Sequence, residues 1–369
     1  MTSHRRANAP GGLLLRLAAC LAVLTLLASC APAHAPGPAH AATDAVPPTP
    51  TPTVATGDTT AAPDATAIPG PVATPAQPST NVATPSVAPT VVNAGAWTPL
   101  VSRLAADGLD KATLARTFAG GGVRYSPEIM ARKVDAMVRK KFEPRPKPSH
   151  KTLAQSNYRH FLSPAVIDAA ALFVGEHKAA FDKARRDYGP PPELIAAFLV
   201  VETNLGSFLG NRDALSVLAS LARSSQLDQI APYMKTLHGD PDRSAFAAEA
   251  AKDRSEWAYR ELVALLRYAA AKKQSPAAIP GSIYGAIGIC QFMPSNALRY
   301  GVDADGDGVI DLFCPSDAIV SVASYLRGHG WKPGMTEDQT KAVVYAYNHS
   351  DLYVLAVMTV ADRIGARLR

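Results

Sequence analysis

Residues 31–95 contain no lysine, arginine, phenylalanine, tryptophan or tyrosine. Such a segment cannot bury enough apolar surface to offset its ordering entropy, which excludes a packed core there. What it has is proline, threonine and alanine, in runs such as "PPTPTPT" and "IPGPVATPAQP". A disordered, semi-stiff tether is expected over 30–95. The chain also lacks a long apolar run. The apolar stretch in "MTSHRRANAPGGLLLRLAACLAVLTLLASC" is roughly a dozen residues, short of the ~20 that a spanning helix needs. With Arg5, Arg6 and Arg16 around its start and small residues at its end, residues 1–29 read as a secretory signal. Dense Lys/Arg clusters are missing too, which argues against a nucleic-acid binder.

The closing "LASC" resembles a bacterial lipobox, in which Cys30 carries lipid and becomes the mature N-terminus. Ala31 after that cysteine points, by analogy, to the periplasmic face of an outer membrane. The other reading is ordinary cleavage near "APAHA". The whole chain has 37 Lys and Arg against 31 Asp and Glu, a net +6. The leader holds three Arg and the tether holds Asp44, Asp58 and Asp64, so residues 96–369 keep the same surplus. A mildly basic domain suits a polyanion. Downstream of Cys30 the remaining cysteines are Cys290 and Cys314. An oxidising compartment allows them to pair, and the sequence leaves that open.

Residues 96–369 lack convincing alternating strands and internal repeats. Helical spacing of apolar residues dominates in "SPEIMARKVDAMVRKKF", "SPAVIDAAALFVGEHKAAFDKARRDYG", "RSEWAYRELVALLRYAAAKK" and "SDAIVSVASYLRGHG". A mainly α, lysozyme-like domain is expected. In "PPPELIAAFLVVETNLGSFLG" a helix should begin at proline and end near Gly206 and Gly210. Ile195, Phe198 and Leu199 then share a face with Glu202, the one acid of the run after Glu193 at its start. Desolvation and the helix C-terminal dipole both raise the pKa of such a carboxyl, as a general acid needs. A buried glutamate bonded to backbone or tyrosine is the plain alternative.

Two later stretches bear on Glu202. "GSIYGAIGICQFMPSNALRYG" surrounds Ser282 and Gln291 with glycines, which let a backbone approach a ligand. "DADGDGVIDLFCPSD" matches the opening of an EF-hand-like metal loop: Asp303, Asp305 and Asp307 at alternate positions, then the Val309 carbonyl. The match fails where a bidentate glutamate belongs, at Cys314. Asp317 can complete the shell if the loop is longer than usual.

Together with "YAYNHSDLY" and "RYSPEI", these stretches resemble, in order, the motifs of the membrane-bound lytic transglycosylase B family of peptidoglycan enzymes. The resemblance covers most of 96–369. It implies a catalytic domain there, with Glu202 as the one catalytic acid and base. Glu202 would protonate the oxygen between N-acetylmuramic acid and N-acetylglucosamine, with the 2-acetamido group stabilising the oxocarbenium-like centre. It would then deprotonate the muramyl 6-hydroxyl, which closes a 1,6-anhydro ring without water. This belongs with the substrate-assisted exceptions to two-carboxylate glycosidases. The resemblance also implies saccharide contacts from Ser282, Gln291, Arg254, Tyr347, Asn348 and Tyr353. A structural Ca2+ is implied on Asp303, Asp305, Asp307, Val309 and Asp317, with Na+ as the other candidate and no organic cofactor.

Four departures stand out. Only about a dozen residues separate Trp331 from Tyr345, where better-known members carry a small subdomain. Residues 223–252 look like an insertion that could replace it. The family's paired arginines are Asp253–Arg254 here, and Cys290 beside Gln291 is unexpected. The competing readings are a water-using muramidase and a non-catalytic peptidoglycan-binding lipoprotein. The first lacks a second acid near Glu202, since Asp213 lies beyond the helix. The second gains little from a desolvated acid.

Overall fold

The computed structural model describes residues 94–119, 122–144 and 146–369. The signal at 1–29, Cys30 and the tether up to residue 93 lie outside the described residues. Ala94 and Gly95, expected in the tether, open a 3-10 turn that runs to Trp97. Trp97, 1% exposed, is the first large apolar side chain among the described residues and is buried in the core. Among the described residues, no helix is long and apolar enough to cross a membrane.

Helices dominate, as the spacing suggests. The helix Pro192–Thr203 lies at the centre, flanked by Pro164–Glu176, Pro315–Gly328 and the last helix, Asp351–Leu368. Every residue from Leu194 to Val201 is at most 4% exposed. This helix therefore has no polar face, which corrects the expected one-sided stripe: it is apolar all round because it is wrapped all round. It also ends earlier than its glycines suggest. Asn204 takes a left-handed conformation (φ 50°), and its N–H reaches the Leu199 and Val200 carbonyls. Asparagine tolerates that conformation without a glycine.

The stretch read as one helix from Pro164 is two, Pro164–Glu176 and Lys178–Asp187, broken at His177. The supposed insertion forms a short helix at Leu227–Ile230, a turn at Ala231–Tyr233 and the start of a 31-residue helix, Pro241–Ala271. It packs on the helix Pro127–Phe142. There the buried Asp135 accepts hydrogen bonds from the Lys235 N–H (3.1 Å) and the Thr236 hydroxyl (2.6 Å).

The sheet described is a two-residue antiparallel pair. Strand β1 (Arg212–Asp213) lies beside β2 (Pro280–Gly281), with Arg212 opposite Gly281. A Cβ at Gly210 would fall 2.1 Å from the Gly281 carbonyl oxygen, so this approach requires glycine. The pair matters because it fixes the strand that leads into Ser282.

Candidate active site

Glu202 occupies the last turn of the central helix, half-buried. Its Oε1 accepts a hydrogen bond from the Tyr353 hydroxyl at 2.6 Å. Burial pushes the carboxyl up to about 8, while the Tyr353 bond, which favours the charged form, pulls it down. No cation is among these influences. Glu202 is thus a carboxylic acid that keeps its proton at neutral pH.

Tyr353 and Tyr347 stack nearly parallel, with centroids 6.4 Å apart and Phe198 against both. Tyr158 meets the edge of Tyr353 at 6.4 Å, and its own pKa is raised by burial and by the Glu202 charge. Tyr158 was not singled out from the sequence. It sits on a 3-10 turn, Asn157–Leu162, 44 residues upstream of Glu202, and nothing local marks it. Asn348 follows the helix Glu337–Tyr347 in extended conformation, 2% exposed, and its Oδ1 has no hydrogen-bond partner. An orphaned buried acceptor beside Tyr347 is suited to a ligand N–H or O–H.

The segment from Gly281 to Phe292 is locked to this cluster. The Thr203 hydroxyl, next to Glu202, donates to the Ile289 carbonyl at 2.7 Å and accepts from the Gly206 N–H at 2.9 Å. The Tyr347 hydroxyl donates to the Cys290 carbonyl. Ser282 Oγ accepts from the Ala286 N–H (3.0 Å) and more weakly from the Tyr284 N–H (3.3 Å), so its oxygen is fixed and its proton can serve another acceptor. Gln291 sits at φ 50° and donates from Nε2 to the Gly288 carbonyl at 3.0 Å, leaving its Oε1 unengaged by that bond. Cys290 is a free, buried thiol. The pairing with Cys314 that the sequence left open is not formed.

Arg254 is placed elsewhere. It lies on the long helix beside Lys133, with its Nε buried and unpaired. The Lys133 ammonium sits 4.6 Å from the Trp257 ring centre and 4.4 Å from that of Tyr284. Burial and the Arg254 charge lower Lys133 to about 7. Arg254 is thus placed next to Lys133, which packs on Tyr284 near the Ser282 loop, and is not among the groups acting on Glu202. A depressed lysine makes the folded state bind fewer protons than the unfolded one, so its penalty is greatest below pH 7. Lys133→Met is expected to raise the thermal midpoint at pH 6, with the gain fading as pH climbs towards 10. A midpoint series over that range checks it; a gain of equal size at every pH would refute it.

The acidic loop follows this segment, beyond the short helix Pro294–Tyr300. Asp303 accepts from the Gly306 and Gly308 N–H groups at 2.7 and 2.9 Å, and Asp307 accepts from the Val309 N–H at 2.8 Å. One oxygen each from Asp303, Asp305 and Asp307 converge within 4.8 Å. Asp317, 1% exposed, braces the loop by accepting from the Ala304 and Asp311 N–H groups, and burial pushes it up to about 6. Such a gathering of hard oxygens, with Asp305 also raised by burial and by its acidic neighbours, fits a divalent cation such as calcium. The loop is tied to the site by the Ile289 N–H, which donates to the Leu312 carbonyl at 2.8 Å.

Membrane-bound lytic murein transglycosylase B of Escherichia coli (strain K12) is 34% identical over 188 residues, covering 51% of this chain and 45% of that protein. The match thus spans under half of the curated relative's length. The Escherichia coli lytic transglycosylase Slt35 in complex with bulgecin A superposes with a TM-score of 0.57 at 21% identity, over 74% of this chain and 93% of that one. Slt35 in complex with calcium gives 0.55 at 22% identity, with the same coverage. Soluble lytic transglycosylase SltB1 from Pseudomonas aeruginosa gives 0.55 at 24% identity, over 73% and 98%. These superpositions establish the lysozyme-like helical fold. A family model described as "Transglycosylase SLT domain" matches residues 93–342. The chain belongs to the transglycosylase SLT domain family.

Proposed function

We propose that the protein is a lytic transglycosylase that cleaves peptidoglycan between N-acetylmuramic acid and N-acetylglucosamine, leaving 1,6-anhydromuramyl ends. The observation that carries this reading is a lone carboxyl, Glu202, at the end of an apolar helix, held by Tyr353 with no second carboxylate bonded to it among the described residues. As an acid, Glu202 donates its proton to the glycosidic oxygen. Once ionised it lies in surroundings that favour the protonated form, so it is a strong base for the muramyl 6-hydroxyl. The tyrosine hydroxyl at 2.6 Å steadies the carboxylate between the two steps. Ser282, Gln291, Tyr347 and Asn348 would hold the saccharide, with Arg254 facing the glycan strand farther from Glu202. The muramidase reading needs a second acid. Asp213 is committed elsewhere, accepting from the Ser216 N–H at 2.6 Å at the start of the next helix.

The name of the Escherichia coli relative says membrane-bound, which agrees with lipidation at Cys30 and an envelope location for this chain. Solved relatives named as complexes with calcium and with a NAG-anhNAM-pentapeptide agree with a metal loop and a peptidoglycan ligand. Bound at Asp303, Asp305, Asp307, Val309 and Asp317, calcium would neutralise the loop's carboxylates and stiffen the turn that carries Leu312. Calcium at about 100 times its Kd is expected to stabilise the fold by ~2.7 kcal/mol, reversed by EDTA. Thermal melts with and without EDTA check this, and an unchanged midpoint would remove the ligand assignment.

Digestion of purified sacculi with mass spectrometry of the released ends tests the reaction: anhydromuramyl ends are expected, and reducing ends would mean a muramidase. The pH–rate profile tests the acid. Activity should fall as pH passes about 8, where Glu202 ionises. Tyr353→Phe removes the bond that favours the carboxylate, so the alkaline limb should move to higher pH. A limb that stays put would detach Tyr353 from the acid.

A further inference from the structure

A polar cavity of about 200 Å³ lies beside β1, between the start of the helix Pro127–Phe142 and the start of the helix Ala214–Arg223. Arg124 and Arg212 line it, and neither guanidinium takes part in an ion pair among the described residues. Its one acid, Asp213, turns an oxygen onto the Ser216 N–H at 2.6 Å. Two buried hydroxyls complete the wall. Ser126 makes no capping bond to its own helix, and Ser216 Oγ accepts from the Arg124 N–H at 3.0 Å, leaving its proton to donate. The cavity thus presents two free cations and hydroxyl donors around a helix start, which is positive. Its place is fixed by the strand pair: Arg212 lies opposite Gly281, the residue before Ser282, and paired strands are ~4.8 Å apart. A glycan held at Ser282 would pass beside the rim of this cavity.

We propose that this cavity binds a carboxylate of the peptide carried by the glycan strand. The proposal rests on the reading of the chain as a peptidoglycan enzyme. Arginine forks match carboxylates in a bidentate way, and such charge-assisted bonds are the stronger class. The cavity would select strands that still carry acidic peptides and set which muramic acid faces Glu202.

The test is a binding titration of the wild-type chain with a muramyl pentapeptide and with the same compound amidated at every carboxylate. The acidic compound is expected to bind at least about tenfold more tightly, the scale of a charge-assisted bond. Arg124→Gln with Arg212→Gln should erase that preference and leave affinity for the amidated compound as it was. Both arginines are exposed, so the pair is expected to keep its thermal midpoint. Equal affinities in the wild type would overturn the proposal, as would a preference that survives in the double variant. Displacement by inorganic phosphate at the peptide's own concentration would reveal a general anion site and overturn it as well. Because binding needs no cleavage, this result is independent of which ends the enzyme leaves on sacculi.

Discussion

Glu202→Gln is expected to lose cleavage by roughly a thousandfold or more while keeping its fold and its binding to sacculi, because in the proposed mechanism one group serves as both acid and base. The amide keeps the shape of the acid and can still accept the Tyr353 hydroxyl bond. It has no proton to give and no basic oxygen to take one back. The same substitution should change stability in a defined direction. The folded pKa of Glu202 is about 8, against an ordinary value of 4.5, so the folded state holds a proton that the unfolded state has released across that interval. Stability therefore falls as pH rises from 4.5 to 8. Glutamine does not titrate, so the variant should match the wild type near pH 4 and exceed it in thermal midpoint at pH 8. Full activity in the variant would refute the mechanism. A midpoint difference that does not grow with pH would refute the buried-acid account.

Gly288→Ala should be among the most destabilising single substitutions in the domain. Gly288 has φ +76°, where a side chain is strained, and a Cβ there would meet the Leu312 carbonyl oxygen at 2.6 Å and its carbonyl carbon at 2.9 Å. These are backbone atoms, and they are held by the Ile289–Leu312 hydrogen bond. A cost of about 3 kcal/mol or more is expected from overpacking combined with strain. At roughly 2 °C per kcal/mol for a domain of this size, the midpoint drops by about 6 °C or more. The damage should reach function, because Gly288 also accepts the Gln291 side chain. Calcium-dependent stabilisation should weaken in the same variant, since Leu312 belongs to the turn that ends the acidic loop. A midpoint within about 1 °C of the wild type would show that the loop and the active-site segment are not rigidly coupled.

The helices were legible because burial on one side leaves a period in the sequence, as along Pro127–Phe142 and Pro315–Gly328. The central helix was found for a different reason, its proline start and unbroken apolar run. An apolar run alone does not reveal that it is wrapped on every side. Its end was misplaced because Asn204 and Leu205 adopt positive φ in a region where Gly206 draws the eye. Glu202 stood out because it is the one acid in an apolar run beyond the first turn, and burial then raises its pKa as expected. Tyr158 left no trace, since its approach to Glu202 depends on how a 3-10 turn docks against the last helix. Lys133 was equally silent: within an ordinary amphipathic helix nothing shows that a lysine lies between two aromatic rings. Arg124 and Arg212 meet only because the helix starts at Pro127 and Ala214 come together in space.

In the proposed reaction the bond to the muramyl carbon is closed by the substrate's own hydroxyl and not by water. Digestion of sacculi in water enriched in heavy oxygen tests it most directly. Mass spectrometry should find released muropeptides with anhydro ends and no heavy oxygen. Reducing muramyl ends that each carry one heavy oxygen atom would contradict the account and make the protein a hydrolase.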